Sequence, residues 1–374
     1  MSAYIPFEIQ EEIIKRVHPA KPLIRFRSVS KQWKSLIDSS EFITHHTALN
    51  HRTDTHHLLV RYYVDSDYKY VLIVDDDNSF PPHKSSLDVS PTVKLVSPGA
   101  SMPGCCHGLV CLYGDDPVTR KKMIVVWNPS IRKSIGIPLP YRIYAVGFGV
   151  CSKTRDLMIV GFAGIPTRHW KADVFRLSSG SWTRVPTNLP RDPTGFSSKQ
   201  VVEDDAIHWV ANYRKIPRNG EYYYVYRIVS FDLTSEEFEQ IELPRRLARS
   251  QGVYISKLKG SLVVLHPCTR IGNVPDIDVW KMLKNHDSTS FTKLFTVKSP
   301  VLFKIIGFRN NGQSIMEASV SERNPEPPRL KLYEPSSKEI TDLEIVGDYG
   351  SWPFEMATYT ESLLLLNVSA SIIP

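Results

Sequence analysis

One pattern recurs from residue 57 onward and limits the fold more than any other feature: an apolar strand, a loop, then a strand centred on a large aromatic residue. The aromatic centres are Trp127, Phe175, Phe231, Trp280 and Tyr333, spaced 48, 56, 49 and 53 residues apart. Apolar strands are expected before them at 109–113, 157–162, 206–211, 262–266 and 315–320. Each aromatic strand leads into a turn and a further strand, at 134–138, 181–185, 237–243, 292–297 and 340–345. A unit of about fifty residues cannot cover both faces of its own small sheet, so it must stack on its neighbours. Four short strands in such a unit match the blade of a β-propeller.

The ends of the chain supply the rest of the ring. Residues 355–360 and 363–367 read as the first two strands of a blade, and 57–64 and 70–75 as two strands lacking earlier partners. Joined, they make a sixth blade and leave no open sheet edge. Six blades of kelch-like length is the count, and 93–97 leaves a seventh unit open. The fold class is mainly β with a small α module in front: a domain at 57–374, a linker at 51–56 and a helical module at 1–50.

Composition narrows the function. Five cysteines, Cys105, Cys106, Cys111, Cys151 and Cys268, include no pair with zinc spacing, so neither a metal nor a cofactor is expected. They read as reduced thiols of a cytoplasmic or nuclear protein. The N-terminus lacks the pattern of a signal peptide, and the longest apolar run, Leu363–Leu366, is far too short to span a membrane. The net charge of +7 is not gathered in a tail or one helix, so it reads as a mildly basic surface rather than a nucleic-acid site.

Catalytic motifs are missing. Gly147-Phe148-Gly149 lacks the third glycine of a dinucleotide loop, and there is no P-loop, HExxH or GxSxG. Asp75–Asn78 reads as a solvated turn and His208 as a hydrogen-bonded core histidine. A non-catalytic binding protein is the reading. The alternatives are a propeller scaffold or nucleic-acid binder with a helical cap, and an enzyme built on a propeller.

In the first fifty residues, Ile9, Ile13, Ile14 and Val17 mark one face of a helix opened by Pro6 and stopped by Pro19 and Pro22. A second short helix carries Leu23, Ile24 and Phe26. A third, over about 28–38, carries Val29, Trp33, Leu36 and Ile37. Three helices this short bury too little to be stable alone, so the module is expected to finish its core against something else.

The run Ile5-Pro6-Phe7-Glu8-Ile9, then Ile13-Ile14, then Leu23–Ile37 with Arg25-Phe26-Arg27-Ser28-Val29-Ser30-Lys31-Gln32-Trp33, resembles an F-box. Ile5 stands where that family usually has Leu, and His18–Pro22 replaces a typical Leu-Pro-Val-Lys-Ser. The resemblance implies docking of a Skp-type adaptor, and through it a cullin. It points to Ile5, Pro6, Ile9, Ile13, Leu23, Val29, Ser30 and Trp33 as adaptor-binding residues. Gly104–Leu112, Val126-Trp127-Asn128-Pro129-Ser130, Gly147-Phe148-Gly149, Ser181-Trp182, Ile207-His208-Trp209, Phe231-Asp232-Leu233 and Glu361-Ser362-Leu363 resemble the F-box-associated domain of plant proteins. That second resemblance implies capture of a target for ubiquitination and degradation.

The blade loops suggest where the target sits. Loops joining second and third strands, at 114–122, 163–172, 212–227, 267–276 and 321–329, hold 12 Lys or Arg against 6 Asp or Glu. Arg168, Trp170, Lys171, Arg214, Lys215, Arg218, Tyr222, Tyr223 and Tyr224 are the candidate contacts for an acidic or phosphorylated segment.

Overall fold

The computed structural model describes residues 5–50, 57–75, 84–96, 99–116, 119–163, 170–187, 189, 193–216, 220–250, 252–268, 276–285, 288–298, 302–319, 326–348 and 354–368. The N-terminal module has four helices, not three: α1 (Phe7–Lys15), α2 (Ala20–Phe26), α3 (Lys31–Ile37) and α4 (Ser40–Asn50). The Ser39 hydroxyl accepts from the Phe42 amide at 3.2 Å and opens α4. Its polar stretch Thr44–Thr47 interrupts the apolar period, so no stripe marks this helix in the sequence. It buries Phe42 and Ile43, with His46 turned inward against the His18 carbonyl at 2.7 Å.

Six four-stranded antiparallel sheets follow. Blade 1 holds β1 (His57–Val64), β2 (Asp67–Val74) and β3 (Lys84–Ser86); α5 (Pro91–Leu95) then leads to blade 2. Blade 2 is β4 (Ser101–Cys106), β5 (Leu109–Asp115), β6 (Lys122–Asn128) and β7 (Lys133–Pro138). Blade 3 is β8 (Ile143–Val150), β9 (Leu157–Ala163), β10 (Lys171–Arg176) and β11 (Ser181–Val185). Blade 4 is β12 (Gly195–Glu203), β13 (Ala206–Lys215), β14 (Tyr223–Asp232) and β15 (Phe238–Glu242), followed by α6 (Arg245–Ala248). Blade 5 is β16 (Tyr254–Leu258), β17 (Ser261–Cys268), β18 (Asp276–Asn285) and β19 (Ser288–Val297). Blade 6 is β20 (Leu302–Phe308), β21 (Ser314–Ser319), β22 (Arg329–Tyr333) and β23 (Ile340–Val346).

The repeating apolar and aromatic strands are the second and third of each blade. Trp127, Phe175, Phe231 and Tyr333 are buried between neighbouring sheets, where large rings fill the wedge. Trp280 is only half-buried, because the register slips between Val279 and Trp280 and re-aims the ring.

Closure differs from the sequence reading in how the two ends of the chain share the blade. The last strand, β24 (Glu355–Tyr359), enters blade 1 alone as its innermost strand, pairing with β1. Residues 57–64 and 67–74 are then the second and third strands, and Lys84–Ser86 the fourth. That short polar strand carries no apolar signal. The 363–367 stretch is not a strand; it forms successive turns whose leucines pack elsewhere. Val93 lies on α5, whose N-terminus Ser90 caps, so no seventh blade begins there.

Buried ion pairs fasten the closure. Arg61 of β1 bonds Glu355 of β24, its partner in register, and stacks 3.6 Å from the centre of the Tyr68 ring. Glu355 also accepts from the Met102 amide of blade 2 at 2.9 Å. Arg309 of blade 6 reaches Asp75 of blade 1 at 2.7 Å.

Candidate functional site

On the helical module, Ile9 and Ile13 stand one turn apart on α1, 53% and 54% exposed, while Ile14 faces the core. Ile5, Pro6 and Val29 are exposed as well. Ile9 and Ile13 together make an exposed apolar strip along α1, left bare in a module this small. Three expected contacts play other parts. Leu23 is fully buried among Ile14, Ile37 and Phe42 and cannot meet a partner. Ser30 caps α3, its hydroxyl accepting from the Trp33 amide at 3.1 Å. Trp33 is half-buried, packed edge-on to Phe26 and donating from its indole to Gln10 Oε1 at 2.7 Å.

The module sits on the propeller through residues 360–368. Pro19 offers no side-chain cap to α2, and Glu361 supplies one from the far end of the chain: its carboxylate accepts from the Ala20 amide at 2.8 Å. Asn50 of α4 donates to the Glu361 carbonyl at 3.0 Å, and Asn367 donates to the Asp38 carbonyl. On the propeller side, the Asn128 amide donates to the carbonyls of Ser362 (3.0 Å) and Leu364 (2.8 Å), and Lys133 to that of Leu366 (2.7 Å). Leu363 and Leu366 enter the helical core, whereas Leu365 enters the core between blades 2 and 3. Gly108, at φ +75°, passes so close that a Cβ would lie 2.4 Å from the Thr360 carbonyl.

Strand direction fixes what faces where. In an antiparallel blade, the turns joining strands one and two leave one end of the ring, and the loops joining two and three leave the other. The 360–368 strap follows an innermost strand, so the helical module occupies the first end and the basic loops the second.

At that second end, Tyr222, Tyr223 and Tyr224 are exposed. Tyr222 and Tyr224 pack edge to face at 5.8 Å, Arg214 lies 4.3 Å over Tyr222, and Arg249, after α6, lies 5.6 Å over Tyr223. Lys215 is half-buried, and Lys171 is exposed at the start of β10. Trp170 does not belong with them: it is buried, its indole donating to the Pro193 carbonyl. Arg168 and Arg218 lie outside the described residues. Some of the loop charge is already spent within the fold, since Lys122 pairs with Asp115 (2.8 Å) and Arg227 with Glu242 (2.8 Å).

Two further features involve titratable groups. His266, Cys268 and Asp278 bring ligand-type atoms within 4.8 Å of one another. Asp278, however, already accepts from Lys293 (2.7 Å), Thr296 (2.7 Å) and Arg246 (3.3 Å). Burial pushes its carboxyl up, but the bonds from Lys293 and Thr296 outweigh it and hold it below the usual range. This is the chemistry of an ion-pair network. Along the ring axis, the six innermost strands enclose a cavity of about 870 Å³ that opens at the helical module's end.

The F-box domain family matches residues 4–45, and the F-box associated beta propeller domain family matches residues 99–364. The chain belongs to the F-box-associated β-propeller family. The F-box protein's relatives include F-box/WD-40 repeat-containing protein 1 of Arabidopsis thaliana, 26% identical, covering 96% of this chain and 88% of that one. Putative F-box only protein 15 of the same plant is 29% identical over 80% of this chain and 75% of its own. Among solved structures, Kuenenia stuttgartiensis hydrazine synthase superposes with a TM-score of 0.50, covering 84% of this chain and 48% of that one. At 9% identity that likeness is one of fold alone.

Family membership gives the Trp127-Asn128-Pro129-Ser130 motif a structural meaning in this F-box protein. Trp127 fills the wedge between blades, Asn128 holds the strap and Ser130 bonds the Tyr359 hydroxyl. Asn128 and Ser362 both stand in the stretches that resemble the family, but nothing local pairs them, because 234 positions separate them. Arg132-Lys133 belongs to the same resemblance, and nothing local pairs Lys133 with Leu366. No helix among the described residues is long and apolar enough to cross a membrane.

Proposed function

We propose that this F-box protein is the substrate receptor of a Skp–cullin–F-box ubiquitin ligase and performs no chemistry itself. The observation that carries the reading is the bare apolar pair Ile9 and Ile13 on α1, with Ile5 and Val29 also exposed, on a module bonded to a propeller. A Skp-type adaptor covering that face would complete the small module's core and bring a cullin with it. The strap's bonds hold the two domains in one orientation, so a bound target is presented at a set position. Catalysis by such a complex is proximity: target lysines are held near the charged conjugating enzyme, which raises their effective concentration. Degradation of the ubiquitinated target would follow.

The target face is the loop end of blades 3 and 4. Arg214, Lys215 and Lys171, with the Tyr222–Tyr224 rings beside them, suit an acidic or phosphorylated segment: cations for the charge, flat aromatics for the backbone. The cytoplasm or nucleus is where such a complex would act. The test is reconstitution. Purified full-length chain, mixed with a Skp-type adaptor and a cullin module, should elute as one complex. Failure of the adaptor to bind would overturn the reading.

A further inference from the structure

The axial cavity is lined by innermost strands from every blade and reaches the turns at His107, Asp204, Lys259, Asn310 and Thr360. Its mouth carries charges of both signs, with Lys257 and Lys259 near Glu203, Asp204 and Asp205. Deeper in, one side narrows where Gln200 bonds both the amide (2.7 Å) and carbonyl (2.6 Å) of Phe148. Its amide lies beside Gly104, where a Cβ would come within 3.1 Å.

Next to Gln200, Lys199 lies in the irregular stretch between Phe196 and Gln200 and also lines the cavity. The charged groups that act on it are Glu355 on β24, Lys304 on β20 and Glu317 on β21, all in blades across the ring. Lys199 is partly exposed and lines the cavity, so water reaches its side chain. Its ammonium makes no hydrogen bond or ion pair among the described residues. Glu355 is bound by Arg61, and Glu317 accepts from the Phe354 amide at 3.2 Å, so neither carboxylate pairs with Lys199.

We propose that the axial cavity binds a small organic carboxylate, with Lys199 as the charge partner of its anionic group. Glu203, Asp204 and Asp205 at the mouth repel a phosphate dianion more than a monoanion, and an ammonium with three free donors suits a carboxylate that can take two of them. The lysine's own titration agrees: burial lowers it to about 8, further lowered by Lys304 and countered by Glu355 and Glu317. An ammonium without a partner in a partly enclosed site costs stability, and a bound anion would offset that cost. The proposal does not depend on the ligase reading.

The test is calorimetric titration of the full chain at pH 7 with benzoate, its neutral analogue benzamide, and inorganic phosphate. Benzoate should bind, benzamide should not, and phosphate should bind more weakly than benzoate. Lys199→Met should weaken benzoate by roughly tenfold or more, and Lys199→Arg should largely restore it. Acetic anhydride should acetylate Lys199 at pH 8, and benzoate should protect it. Lys199→Met should melt no lower than the parent chain, so lost binding would not be lost folding. Unchanged benzoate affinity in Lys199→Met, no binding at millimolar benzoate, or phosphate binding as tightly as benzoate would each overturn the assignment.

Discussion

The Glu361 carboxylate accepts the Ala20 amide at 2.8 Å, so a residue near the end of the chain caps a helix near its start. The strap that carries Glu361 therefore belongs to both domains. Deleting from Glu361 onward leaves β24 in place, so the ring should stay closed and monomeric by gel filtration. The helical module should come loose and be cut by protease between the domains. Deleting from Glu355 also removes β24 and exposes the edge of β1, and that shorter protein should aggregate. Glu361→Ala alone should cost about 1 kcal/mol of helix stability, read as earlier melting of the helical signal.

The adaptor face makes a separable prediction. Ile9→Asp with Ile13→Asp should abolish adaptor pull-down without lowering the melting temperature, since both side chains are half in water already. Leu23→Ala should act the opposite way round, unfolding the module at a cost of roughly 2–5 kcal/mol and losing the adaptor only as a consequence. Adaptor binding that survives the double aspartate change would remove the surface from consideration.

At the closure, Arg61→Met should be strongly destabilising, by about 3–5 kcal/mol, because it strands Glu355 in the interior. Replacing both members, Arg61→Met with Glu355→Met, should recover much of that loss. Denaturant midpoints for the single and double variants decide it.

On the loop face, Arg214→Glu with Lys215→Glu should reduce target capture and leave adaptor binding untouched. Capture by the parent chain should weaken with added salt if charge steers it. Capture that is indifferent to both changes would refute the basic-face assignment.

Acid stability should depend on His208. Burial lowers its titration to about 4, with Ser230 2.6 Å from Nδ1 in the core. Below the ordinary value near 6.5, the unfolded chain takes up a proton that the folded chain refuses. Stability should therefore fall as pH drops from about 6.5 to about 4 and level off below, by on the order of 3 kcal/mol for this group. His46 and His266, also lowered by burial, act in the same sense. His208→Gln should flatten part of the slope in melts taken across that range.

How much of this was legible in the chain follows from the range over which each signal acts. The aromatic period, the F-box helices and their turn residues are local patterns, since a strand or helix states its buried face within a few residues. Blade number followed from them, because a ring of sheets must close. Leu363–Leu366 misled for the same reason: four apolar residues read alike as a strand or as a plug, and only the neighbouring helices decide which. Leu23 and Trp170 look like their exposed neighbours in sequence, and burial alone sets them apart. The pairing of Glu361 with Ala20, of Asn128 with the strap and of Lys199 with an open channel joins residues from distant blades or domains. No local pattern encodes such contacts; the closed ring creates them by bringing the two ends of the chain to one place.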